Sequence, residues 1–426
     1  MNRIKLPIFL SILILFTSSG FGQEQPSKLD ALVAEAIKVS PRIKVLKSKH
    51  DAAVSRIEIG TNLPDPMLTL GLMNLPTNSF SFTQEPMTGK IVGLSQGFPF
   101  PGSLSAKADV IAVDTSIINE ENADLKNEIR RDMSKLYYDL ILTRREIELV
   151  LESKSLLHQI SDVAKSSYEV SNASLHNVIQ VEVQLTRVRD KIEMLRGNEK
   201  GLIAEINALL LRDEDSEVST EETDTIAAKG YSTNSLISIA KIKRPFLNGI
   251  KYSEEKSRLM EELAEYDFYP NFNLGLQYTE RDNISASGVN LNDFLSVMVG
   301  ISLPINYGGK KTARVEEAQF LQTLNRERFN SSVQSLSQAF GKLTAKLHEL
   351  ENREKLVTES LLPQAEQLLK AALADYQVAK IDFVNVMKAE NDILTIKTEL
   401  VTLRTNYYKN LAEIEFLTGE KIINSK

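Results

Sequence analysis

The chain contains no cysteine and no tryptophan, and only four histidines in 426 residues. The missing cysteine excludes disulfide staples, thiolate zinc sites, iron–sulfur clusters, a thiol nucleophile and a lipid-modified N-terminal cysteine. Helix breakers are scarce over a long stretch: no proline occurs between Gly102 and Pro245, and only two glycines lie between Gly102 and Gly230. Long helices can run there without interruption. After Phe16 no stretch approaches the roughly 18 apolar residues that a spanning helix needs. An excess of basic charge is also lacking, with 50 Lys and Arg against 57 Asp and Glu, which argues against nucleic acid as a partner. With 42% apolar and 25% charged residues, the composition is that of an ordered protein.

The N-terminus has the order of a secretory signal: Arg3 and Lys5, an apolar run from Leu6 to Phe16, then Thr17, Ser18, Ser19, Gly20, Phe21 and Gly22. We expect residues 1–22 to be removed as a signal peptide and the rest to be exported. The mature chain would carry 48 basic against 57 acidic side chains, a formal charge of −9.

The mature chain is duplicated. Pro66, Leu70, Gly71 and Leu72 correspond to Pro270, Leu274, Gly275 and Leu276, and Val92, Gly93, Leu94 and Ser95 correspond to Val299, Gly300, Ile301 and Ser302. Further on, the block Tyr168 to Val178 matches Tyr376 to Val386. These matched blocks divide the chain into a first repeat (23–211, strands about 66–73 and 90–98), an acidic connector (212–235) and a second repeat (236–426, strands about 271–280 and 293–303).

Within each repeat the apolar period changes between about 2 and about 3.6, so both strands and helices are expected. Phe272, Leu274, Leu276 and Tyr278 share one strand face, as do Leu295, Val297, Val299 and Ile301; Leu68, Leu70 and Leu72, with Val92, Leu94 and Phe98, form a weaker first pair. Ile129, Met133, Leu136, Leu140, Ile147 and Leu151 recur at coiled-coil spacing, and so do Ile393, Ile396, Leu400, Leu403, Tyr407, Leu411, Ile414 and Leu417. A helix from about 104 to 167 would be on the order of 95 Å long; its counterpart, about 312 to 376, is expected to kink at Pro363. Each half thus reads helix, β-hairpin, very long helix, turn, helix. In an exported protein such strands suit an outer-membrane barrel wall, yet four cannot close one, so the chain must oligomerise. Two copies would give eight strands and three would give twelve.

These features resemble the TolC-like outer-membrane efflux channels. The resemblance rests on the duplicated layout, Asn62-Leu-Pro-Asp-Pro-Met67, Gly93-Leu-Ser-Gln-Gly-Phe-Pro-Phe-Pro-Gly102, Leu362-Pro-Gln-Ala365 and the blocks beginning at Tyr168 and Tyr376. It implies a mainly α fold with a β-barrel part: a homotrimer forming a 12-stranded barrel in outer-membrane lipid and a long periplasmic α-helical tunnel. The implied partners are a periplasmic adaptor (membrane fusion protein) and an inner-membrane pump of the resistance-nodulation-division type. The segment Asn74 to Lys90 is similar to that of the heavy-metal branch, and Met67, Met73 and Met87 are candidate soft-metal contacts, although strand methionines more often face membrane or fill packing gaps.

The resemblance also assigns site candidates. The family's tip carries two acidic residues one turn apart, and the matching positions here are Asn385 and Lys388. Three converging Lys388 side chains would disfavour cations, unless Asp382 or Glu390 compensates or Lys388 turns away. The family's gate tyrosine corresponds to Tyr376, but its arginine partner corresponds to Ile381; Asn177 is the equivalent tip position in the first repeat. Adaptor docking would fall on Tyr168, Val170, Ser171, Asn172, Val378, Ala379 and Lys380, with Ser171 and Ala379 standing where the family has glycine.

No enzyme is expected. His50, His158, His176 and His348 are scattered, no His-x-x-x-His or Gly-x-x-x-x-Gly-Lys pattern occurs, and no Gly-x-Ser-x-Gly elbow follows a strand. No cofactor or resident metal is expected. The rival readings are a periplasmic adaptor, which would need a lipoyl-type β-domain, and a coiled-coil envelope scaffold without a pore.

Overall fold

A computed structural model describes residues 27–170, 174–221, 226, 230–284, 288–378 and 380–422. The expected leader, 1–22, lies outside the described residues. Two short helices, α1 (Lys28–Val39) and α2 (Pro41–Thr61), lead into strands β1 (Met67–Met73) and β2 (Gly89–Phe98). Helices α3 (Ser103–Glu169) and α4 (Leu175–Leu210) complete the first half. The second half repeats the order with α5 (Thr233–Lys243), α6 (Pro245–Glu265), β3 (Phe272–Glu280), β4 (Phe294–Ile301), α7 (Lys310–Leu356), α8 (Leu362–Gln377) and α9 (Phe383–Thr418).

The 67 residues of α3 contain neither proline nor glycine and span about 100 Å. The helix begins after Gly102, whose φ of 93° belongs to the left-handed region, and a Cβ there would lie 2.7 Å from the Tyr266 hydroxyl oxygen. The matching helix of the second half is broken: between α7 and α8, residues Val357–Leu361 form a wider π turn. Pro363 in the first turn of α8 explains the break, since it has no N–H and its ring collides with the carbonyl four residues back.

The four strands form one antiparallel sheet in the order β1-β2-β3-β4. The helices leading into and out of the strands repeat that order, with α2 packed on α3, α3 on α6 and α6 on α7. Ion pairs follow the same contacts: Lys49 with Glu121 at 2.6 Å, Lys256 with Asp114 at 2.7 Å, and Arg326 with Glu254 at 3.0 Å. Four strands are thus continued by four helices, and sheet and helix layer are open at the same two edges. Farther from the sheet, α3 leaves α2 and α6 and packs instead on α4 and α9, as the Arg144–Glu199 and Lys409–Asp139 pairs at 2.8 and 2.6 Å mark.

The apolar core is strung along the helices as three clusters. The one at the far end joins α3, α4, α8 and α9 through Leu157, Leu185, Ala372, Phe383 and Val386. The two midway clusters gather Met133, Leu140 and Ile206 around α1, and Phe340, Tyr407 and Ile414 around α5. The coiled-coil pattern places Leu151 in the core, but the side chain that is buried is Val150, and Leu151 is exposed. Part of the acidic connector is tied down: Asn207 Nδ2 donates to the carbonyls of Glu214 and Ser216 at 3.0 and 2.8 Å, and the Tyr137 hydroxyl accepts the Glu221 N–H at 2.8 Å. The C-terminal helix ends where Gly419, at φ 77°, presses on the turn between α5 and α6; a Cβ there would meet the Lys243 carbonyl at 2.6 Å.

Candidate functional site

Two regions answer to the functional candidates: the sheet and the far end of the helices. The register aligns one face of all four strands. Leu68, Leu94, Leu276 and Val297 stand opposite one another, as do Leu70, Val92, Tyr278 and Leu295. Every one of these side chains is exposed, Leu70 at 69% and Val297 at 68%. So large a contiguous apolar surface is out of place in water and matches the lipid-facing band of a barrel wall. The opposite face carries Thr69, Gly93, Gln277 and Ser296 in one row and Gly97, Asn273 and Gly300 in another. Met67 and Met73, candidate soft-metal contacts, belong to this second face, and Met298 of β4 shares it. Gly93 to Gly97, a Gly-x-Ser-x-Gly run, lies inside β2 and makes no nucleophile turn.

Beyond the sheet, one arginine gathers both hairpin loops. Arg281 donates through Nη1 to the Pro86 carbonyl at 3.0 Å and through Nε to the Asn292 carbonyl at 2.8 Å, and its guanidinium lies 3.7 Å from the Phe294 ring centroid. Lys90 joins the same group through Asp282 at 3.3 Å. Met87 is an exposed loop residue.

At the far end, α3 turns into α4 and α8 into α9. Val170 and Val378 cap these turns, exposed at 65% and 72%, and Tyr168 is exposed beside them. Lys380 donates its backbone N–H to the Asp375 carbonyl at 2.9 Å and its Nζ to the Asp375 carboxylate at 3.2 Å. Ser171, Asn172 and Ala379 lie outside the described residues. Asn385 and Lys388 stand one turn apart on the exposed side of α9, opposite the buried Phe383, Val386 and Met387. Asn177 is half-buried in the first turn of α4, its N–H bonded to the Ser174 carbonyl at 3.1 Å. No described hydrogen bond joins it to Asn385 or Lys388.

Tyr376 packs on Phe383, ring centroids 6.2 Å apart, and its enclosed hydroxyl has no partner among the described residues. Burial raises its pKa. Ile381, at the position of the family's arginine, joins the apolar cluster around it. Glu390, one of the two acidic neighbours named as able to compensate Lys388, is 2% exposed, turned into the core, and accepts a hydrogen bond from Ser153 of α3. Its other oxygen, Oε2, has no partner among the described residues, and burial raises the pKa of the carboxyl. The residue repeats the core spacing of Phe383, Val386 and Ile393, so a charged side chain in an apolar stripe was the available signal.

Among the described residues, no three His, Asp or Glu side chains come together to hold a metal ion, and no helix is long and apolar enough to cross a membrane. The sheet is the element with a surface for lipid. An exposed apolar face over a polar, glycine-rich one, continued by four helices, is the layout of a barrel-wall segment.

Residues 236–420 match the Outer membrane efflux protein family. The whole chain has the fold of solved outer-membrane channels. VceC of Vibrio cholerae superposes with a TM-score of 0.75 at 17% identity, over 92% of this chain and 97% of that one. CmeC of Campylobacter jejuni gives 0.72 at 12% identity, over 99% and 96%. CusC gives 0.72 at 14% identity, over 92% of each chain. No curated sequence matches. The second half of the chain thus matches that family's model, and the chain as a whole has the fold of outer-membrane channels.

Proposed function

We propose that three copies of this chain form the exit duct of a tripartite efflux system, a 12-stranded barrel continued by a 12-helix tunnel. An inner-membrane pump of the resistance-nodulation-division type, joined by a periplasmic adaptor, drives the cargo, and this chain supplies the path and the gate. The observation that carries the reading is the shared seam. The β1 and β4 edges are unpaired among the described residues, which hydrocarbon does not tolerate. The α2 and α7 edges expose Val45, Ile59, Phe320 and Leu324 alongside, so one set of contacts between copies closes both layers. Tyr168, Val170, Val378 and Lys380, with the neighbouring Ser171, Asn172 and Ala379, are the proposed adaptor-docking surface. The mass of the detergent-extracted protein tests the assembly: a conducting trimer of roughly three times the mature chain's mass is expected. Release by carbonate as a non-conducting monomer would favour the pore-free scaffold instead.

Lys388 on the exposed side of α9 is proposed to line the entrance. Lys388→Asp should then shift ion preference from anions toward cations by several-fold in planar bilayers, because three like charges meet in a narrow passage. Unchanged selectivity would place Lys388 away from the pore.

The finer reading of the cargo is soft metal cations. Met67, Met73 and Met298 on the small-residue face favour it, since thioethers suit copper(I) and silver(I). Deleting the chain in its host should lower tolerance of silver salts; unchanged tolerance alongside lowered tolerance of organic toxicants would assign the duct to other cargo.

A further inference from the structure

A cavity of about 710 Å³ lies where the sheet gives way to the helices, a volume within the range of ligand sites. Neither the wall, the seam nor the tip accounts for its lining. Lys107 of α3 and Lys310, Lys311 and Arg314 of α7 converge there, in a chain whose formal charge is −7. Arg314 is held by Asp267, and Glu317 is the other acidic neighbour. Lys311 Nζ sits 5.8 Å from the Phe268 ring centroid. Lys107 and Lys310 have no ion-pair partner among the described residues.

The position of the cavity says what these cations face. Ile301 closes the apolar face of β4, and Leu303, two residues on, lines the cavity with 75% of its surface exposed. Tyr269 lines it too, stacked on Phe100 with centroids 4.5 Å apart, and Tyr307 nearby is 85% exposed. Exposed leucine, then tyrosines, then lysines is the order met in passing from hydrocarbon through the aromatic girdle to the head groups. Basic pockets at that level take anionic lipid head groups.

We propose that this cavity binds the phosphate head group of an anionic glycerophospholipid of the periplasmic leaflet, with Lys107, Lys310 and Lys311 on the phosphate and the acyl chains against Leu303 and Ile301. The site rests on the outer-membrane reading of the sheet. It would fasten the base of the barrel, where strands become helices, to the leaflet beneath it.

The test is the thermal dissociation of the full detergent-extracted assembly with added dioleoyl-phosphatidylglycerol, dioleoyl-phosphatidylethanolamine or inorganic phosphate. Phosphatidylglycerol should raise the dissociation temperature by several degrees, because a ligand bound only to the assembled state stabilises it. The zwitterionic lipid and free phosphate should do much less. The triple variant Lys107→Gln, Lys310→Gln and Lys311→Gln should lose most of the shift, and Lys310→Gln alone should lose part of it, which serves should the triple variant fail to assemble. A full shift in the variants, no shift in the wild type, or an equal shift with inorganic phosphate overturns the site. Failure of the underlying reading looks different: the protein would leave the membrane without detergent.

Discussion

Leu276→Arg should keep the protein out of the membrane, whereas Gln277→Arg, one residue along the same strand, should let it insert. Leu276 lies in the middle of β3, in the row Leu68–Leu94–Leu276–Val297 of the apolar face. An arginine facing lipid near the bilayer midplane costs about 2–4 kcal/mol. Every copy carries the substitution, so a three-copy barrel would bear roughly 6–12 kcal/mol, comparable with the whole stability of a typical domain. Gln277 sits in the Thr69–Gly93–Gln277–Ser296 row of the other face, where a charge meets water and alters ion selectivity instead. Carbonate-washed membranes give the inserted fraction, and bilayer recordings give the selectivity. Insertion of Leu276→Arg at the wild-type level, or equal exclusion of both variants, would mean that the apolar face does not meet lipid.

The contrast between those neighbours shows what the sequence makes legible. A period of two tells which residues of one strand share a face, and that was readable for all four strands. It does not tell which face of one strand aligns with which face of the next. The pairing of Lys90 with Glu280 joins residues from different repeats, and only that register puts Leu94 beside Leu276 and Gly93 beside Gln277. Helices were legible from the lack of breakers, and Pro363 announced its own disturbance, although the broken turn lies just ahead of the proline. The site was legible only in outline. The tips were located because the blocks at Tyr168 and Tyr376 repeat, and Lys388 falls on the exposed side of α9. The fate of Glu390 was hidden, because its partner, Ser153, lies on another helix in the other repeat.

Glu390 should therefore give the chain a stability that falls as pH rises, and Glu390→Gln should remove that slope. The carboxyl is buried between α9 and α3, bonded to Ser153 through one oxygen and to no described residue through the other. Burial is the largest influence on it and raises its pKa above the ordinary 4.5, while the Ser153 hydrogen bond opposes this. The charged groups around it are themselves engaged or lie in the adjoining cavity: Glu152 pairs with Lys397 at 3.6 Å, and Glu146, Arg187 and Lys191 line that cavity. In the unfolded chain the carboxyl loses its proton near 4.5, whereas the folded chain keeps it to higher pH. The folded state thus holds the extra proton, and its stability drops from 4.5 up to the raised value and then levels off. Each unit of elevation is worth about 1.4 kcal/mol. Glutamine preserves a hydrogen bond to Ser153 without titrating, so its unfolding curve should gain stability at pH 8 relative to wild type and flatten across the window. Glu390→Lys, an unpaired cation in the same place, should cost about 3–5 kcal/mol. Because α3 and α9 belong to different tip hairpins, the loss should fall on the contact between those hairpins, and closed-state conductance should rise with pH in the wild type alone. A glutamine variant that retained both slopes would assign them to another group.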